Sequence, residues 1–161
     1  MSLGFSVNSI IDFWILKSPL IESIYHKTIY NKLVSLAKLN GYAENKSKKY
    51  NKLAIIHPCQ DLTFSYFPDF WIKSPHSKIY IFEILDDELK DKNLIIADLV
   101  QAYLTENLAE IIFILPRDFQ MVEKICKVIG AILVKKGFKN LKEPLIYEIT
   151  KDEARSTKLL D

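Results

Sequence analysis

One stretch constrains this chain more than any other: Lys78-Ile79-Tyr80-Ile81-Phe82-Glu83-Ile84-Leu85. Its apolar side chains fall at successive positions rather than alternate ones, so a strand built from it has no face left for water. Such a strand belongs in the middle of a sheet with helices on both sides. Glu83 stands inside it. A lone carboxylate there costs several kcal/mol unless it is paired, protonated or bound to a metal.

The preceding apolar run offers a partner. In Phe64-Ser65-Tyr66-Phe67-Pro68-Asp69-Phe70-Trp71-Ile72 an acid again lies among aromatic and apolar residues. The segment Lys73-Ser74-Pro75-His76-Ser77 reads as a turn, and a hairpin folded about Pro75-His76 places Asp69 opposite Glu83, about 5 Å away. Two adjacent carboxylates repel and do not readily both ionise, and a divalent cation held by hard oxygen ligands is the usual remedy. The alternative is a structural pair that shares a proton or is capped by hydroxyls such as Ser65.

Around this hairpin the chain reads as an α/β protein. From Ser18-Pro19 the positions Leu20, Ile21, Ile24, Tyr25, Ile29, Leu33, Leu36 and Ala37 follow helical spacing up to Asn40-Gly41. The polar, basic segment Glu44 to Lys52 is a connecting loop. Three strands are expected at Leu53 to His57, Leu62 to Ile72 and Lys78 to Leu85. A helix over Leu94 to Glu106, a buried strand over Glu110 to Leu115, a helix over Asp118 to Lys136 ended by Gly137, and a strand over Leu145 to Thr150 complete the order α-β-β-β-α-β-α-β. The 161 residues, 49% of them apolar, suit a single domain with its core in 18–150 and a charged, frayed tail over 151–161.

Several function classes drop out. The chain has 4 glycines, none in a G-x-G-x-x-G or G-x-x-x-x-G-K pattern, which removes the usual nucleotide cradles. Cys59 and Cys126 form no C-x-x-C pair, so a reduced, cytoplasmic setting is expected. The apolar stretch Ile10 to Leu16 is far shorter than the roughly 20 residues a membrane helix needs. His57 and His76 have no zinc spacing, and Cys126 among Val122, Ile125 and Ile129 reads as core. The net charge of +2 gives only a weak lean toward nucleic acid, but Lys46, Lys48, Lys49 and Lys52 form a cluster suited to phosphate contacts as well as to a solvated loop.

The residues Tyr66-Phe67-Pro68-Asp69-Phe70-Trp71-Ile72, the short turn, and Ile79 to Leu85, together with the order of elements from Leu20 to Leu115, resemble the PD-(D/E)xK nuclease superfamily. The resemblance implies a restriction-endonuclease-like domain, with a central mixed sheet flanked by helices, acting on DNA. It implies that Asp69 and Glu83 bind Mg²⁺ or Mn²⁺. The family's lysine, two residues beyond the strand acid and on its face, positions the attacking water. Here that place is held by Leu85, and an alkyl chain cannot orient water. Glu88-Leu89-Lys90 has the E-x-K spacing but lies in a charged run beyond the strand. Gln101 is similar to a polar helix residue that some branches aim at the active site; its alternative is a solvent-facing position alongside Asp98 and Thr105. Glu22 resembles the family's occasional third acid, or serves as a charge near a helix N-terminus. The resemblance implies a Mg-dependent deoxyribonuclease, a metal-dependent phosphodiesterase impaired by Leu85. The alternative is an inactive nuclease-fold protein serving as a DNA-binding or assembly subunit, with a homodimer among its allowed states.

Overall fold

The computed structural model describes residues 12–13, 23–41, 43–44, 53–54 and 65–156. The longest strands follow from the patterns above: β5 (Phe70–Lys73), β6 (Ile79–Ile84), β7 (Leu108–Leu115) and β8 (Leu145–Glu148) form a four-stranded mixed sheet. Two-residue strands β1 (Asp12–Phe13) and β2 (Ala43–Glu44) extend it, giving the order β2-β1-β5-β6-β7-β8. β5 runs antiparallel to β6, while β7 and β8 run parallel to it. Within the hairpin Phe70 faces Phe82, Trp71 faces Ile81 and Ile72 faces Tyr80, the register expected from a turn at Pro75-His76. That turn is closed by Ser74 N–H donating to Lys78 O at 2.8 Å, with Ser77 at φ 61°.

Helices cover both faces, as the two-sided apolar pattern of β6 requires. On one side α2 (Lys92–Tyr103) and α3 (Phe119–Lys135) pack Ile95, Leu99, Val122 and Cys126 against Trp71, Ile81, Leu85 and Phe113. On the other, α1 (Ile24–Leu39) and α4 (Lys151–Arg155) pack Tyr25, Ile29, Leu33 and Ala154 against Phe70, Phe82, Ile84 and Ile112. α3 ends as expected at Gly137, which at φ 100° lets Phe138 N–H reach Leu133 O and Gly137 N–H reach Val134 O.

Three expectations need correction. The run Leu62 to Ile72 is not one strand: β4 (Ser65–Tyr66) pairs with β3 (Leu53–Ala54) in a separate two-stranded sheet, and the chain bends at 67–69 before β5 begins. Pro68 is the reason, since it has no N–H for a continuous ladder. Residues 55–57 lie outside the described residues. The charged tail is not frayed at its start. Thr150 and Glu153 form a reciprocal capping box that begins α4, and Ala154 is buried. Third, α1 begins at Ile24, capped by Ser23, and 18–22 lie outside the described residues.

Candidate functional site

The acid pair is built by the bend and the hairpin together. Continuing the register beyond Phe70 and Phe82 puts Asp69 across from Glu83, and a hydrogen bond joins their carboxyl groups. Asp69 is held from two further sides. Its Oδ2 accepts the Ile84 N–H at 2.8 Å, and its Oδ1 lies 2.9 Å from His26 Nε2 on α1. The first contact has a backbone cause. Leu85 N–H is taken by Ile114 O of β7, so the alternate N–H of Ile84 points toward β5, where the chain has bent away and a side chain stands in as acceptor. In the second, the imidazole N–H is the donor, because an ionised carboxylate only accepts.

Glu83 is 4% exposed and accepts a hydrogen bond from the Tyr66 hydroxyl on β4. Burial drives its pKa well above the ordinary carboxylate value, and the nearby charges of Asp69 and Asp98 push it the same way. A neutral Glu83 explains the arrangement: it donates its proton to Asp69 and accepts from Tyr66. Burial also lifts the Tyr66 hydroxyl well above its usual value, with Glu83 adding to the rise. Asp98, on α2, completes the cluster. Desolvation first, then Asp69 and Glu88, raise it to about 7.

Leu85 takes the place of the resemblance's lysine on the Glu83 face, and it is fully buried in the apolar cluster of Trp71, Ile81, Ile95 and Leu99. Glu88 and Lys90 lie on a 3-10 turn, Asp87–Lys90, beyond the strand, as expected. Gln101 is half-buried on α2. Its neighbours are not the solvated set expected of them, for Thr105 is buried with its hydroxyl on Gln101 O, and Asp98 is half-buried. His76 is exposed in the turn and Cys126 is core. Glu22, Lys46, Lys48, Lys49, Lys52, His57 and Cys59 lie outside the described residues, as does the side chain of Ser65.

Two members escaped the sequence reading. His26 carried a signal, since His26, Ile29, Leu33 and Ala37 share one helical stripe. Asp98 borders the buried positions Ile95, Leu99 and Ala102. Among the described residues no three His, Cys, Asp or Glu side chains are grouped so that they could hold a metal ion, and no helix is long and apolar enough to cross a membrane. Compared with known proteins, the chain matches no family model, no curated protein and no solved structure.

Proposed function

We propose that this chain is a nuclease-like α/β protein that binds DNA without cutting it. The observation that carries the reading is Leu85: the place where such a nuclease needs an ammonium is filled by a fully buried alkyl chain that belongs to the apolar core under α2 and α3. The acid pair supports it. As they stand, Asp69 and Glu83 do not present Mg²⁺ or Mn²⁺ with a free ligand set, because Asp69 holds Ile84 N–H and His26 while Glu83 is sealed, neutral and bonded to Tyr66. Joined by a proton, the two acids tie β4, β5 and β6 to α1. The support for a nucleic-acid partner is the lysine run Lys46, Lys48, Lys49 and Lys52.

A metal-dependent phosphodiesterase is the second reading. It is favoured by the pairing of Asp69 with Glu83 across the hairpin. The experiment is a mixed panel of linear and branched DNA incubated with the purified chain and Mg²⁺ or Mn²⁺. The expected result is binding that falls steeply with added salt, and no cleavage. Cleavage that Asp69→Asn and Glu83→Gln each abolish would establish the second reading instead. Absence of binding at low salt removes nucleic acid as the partner.

A further inference from the structure

α3 is amphipathic only in its first half. There Gln120, Lys124 and Lys127 are exposed while Val122 and Cys126 are buried, but the following run, Val128-Ile129-Gly130-Ala131-Ile132-Leu133-Val134, carries no polar side chain at all. These seven residues make about two turns of helix, so the band is apolar around its whole circumference. A helix of that kind is ordinarily surrounded by other apolar matter. Here one side alone is covered: Ile129 and Leu133 are half-buried, whereas Val128, Ile132 and Val134 are 49%, 46% and 57% exposed. Together with Leu145 they are half of the large apolar side chains that stand exposed among the described residues, so the bare surface is concentrated in one place. Beside the band, between α3 and 141–146, runs a groove of about 620 Å³ walled by Val134, Leu145 and Ile146.

Lysines bracket the band. Lys124 and Lys127 stand one turn before it and Lys135 and Lys136 follow it directly. From Phe119 to Glu143 there are six lysines against two glutamates, and one of the two, Glu123, is bonded to Lys127 at 3.1 Å. We propose that this face lies on an anionic lipid surface, with the exposed turns of α3 seated among acyl chains near the headgroups and the lysines on lipid phosphates. The excess of positive charge and the apolar band select this occupant together. A second copy would bring lysines against lysines under two-fold rotation. DNA matches the lysines but offers nothing to the aliphatic band. An acidic protein needs one rigid surface that fits a convex helix and the groove beside it at once, whereas fluid chains fill both without a fixed shape. Two turns of helix reach the boundary between headgroups and chains and no further, and no described helix is long and apolar enough to cross a membrane. The proposal is independent of the acid pair and of the DNA reading.

Cosedimentation of the full chain with lipid vesicles tests it. Binding is expected to phosphatidylcholine vesicles containing about a third phosphatidylglycerol and not to pure phosphatidylcholine, and it should fall as salt is added. Val128→Ser with Ile132→Ser, and separately Lys135→Glu with Lys136→Glu, should each lower the partition about tenfold or more while the circular dichroism spectrum is kept. No binding to anionic vesicles, equal binding to neutral ones, or binding indifferent to the changes at Val128 and Ile132 overturns the proposal. So does a chain that ignores vesicles and captures poly-glutamate, which would assign the face to an acidic protein. Should the variants lose their fold, acetylation of the wild type decides: anionic vesicles must shield Lys124, Lys135 and Lys136 from the reagent, and unchanged labelling there overturns the proposal.

Discussion

Glu83 and Asp86 are buried carboxylates at the same end of the sheet, 4% and 5% exposed, and the fold answers their burial in opposite ways. Asp86 is met by cations, with Arg117 Nη1 at 3.3 Å and Lys151 Nζ at 3.8 Å. Glu83 is met by a hydroxyl and other carboxyl groups, and keeps its proton. The difference is one of depth. Three parallel strands end side by side, so Asp86 after β6, Arg117 after β7 and Lys151 after β8 converge where long side chains can reach water. Within the strand no cation among the described residues is paired with Glu83, and protonation is the cheaper solution.

The harshest test of this contrast is Leu85→Lys. If the Glu83 region is as closed as Leu85 indicates, the ammonium is cut off from water among apolar side chains, and unfolding in urea should show a loss of about 3–5 kcal/mol. A variant as stable as wild type would mean an open site and would break the comparison. Next in size is the effect of pH. Asp98 ionises at about 7 in the folded chain against an ordinary value of 3.8, and Glu83 is raised in the same direction. Between those values the unfolded chain holds fewer protons than the folded one, so stability falls as pH rises from about 4 through 7 and levels off for Asp98 above that. The decline should amount to about 2–3 kcal/mol, allowing for residual solvent at Asp98, and Asp98→Asn should flatten much of it in a series of urea titrations.

Asp86→Asn sharpens the other side. It keeps the shape but removes the charge that Arg117 and Lys151 face, and the expected cost is about 1–2 kcal/mol, shrinking as salt is added because both cations are half in solvent. The smallest effect belongs to Glu83→Gln. An amide retains the donor toward Asp69 and the acceptor toward Tyr66, so at neutral pH the change should stay within about 0.5 kcal/mol. A large loss there would mean that Glu83 is charged and that the contrast with Asp86 does not exist.

Much of this arrangement was legible in the sequence, and the reasons are local. The hairpin register follows from one turn, so Asp69 and Glu83 could be set opposite each other by counting from Pro75-His76. The two-sided burial of β6 was written in its unbroken apolar run. What stayed hidden depends on packing between elements distant in the chain. The Tyr66 hydroxyl reaches Glu83 because the chain bends at Pro68, and a run read as one straight strand conceals that bend. His26 meets Asp69 only once α1 is laid across the sheet, which no spacing within α1 can specify. Asp98 looks like one more polar residue on an amphipathic helix until the neighbouring strand is in place.

The way α1 is held also sets a timetable for folding. Tyr25 on α1 donates its hydroxyl proton to Ile149 O at 2.8 Å across 124 positions of the chain, and Lys32 reaches the carbonyls of Glu153 and Ser156. During synthesis α1 leaves the ribosome on the order of ten seconds before the segment that anchors it. The β5–β6 hairpin and the crossovers through α2 and α3 form in chain order, and the stripe of Tyr25, Ile29 and Leu33 finds Phe70, Phe82 and Ile112 already in place, but its anchors at Ile149, Glu153 and Ser156 arrive only with β8 and α4. This face of the molecule is therefore completed only once 149–156 has been made, and a chain truncated before Ile149 would lose the anchors that hold α1 on the sheet.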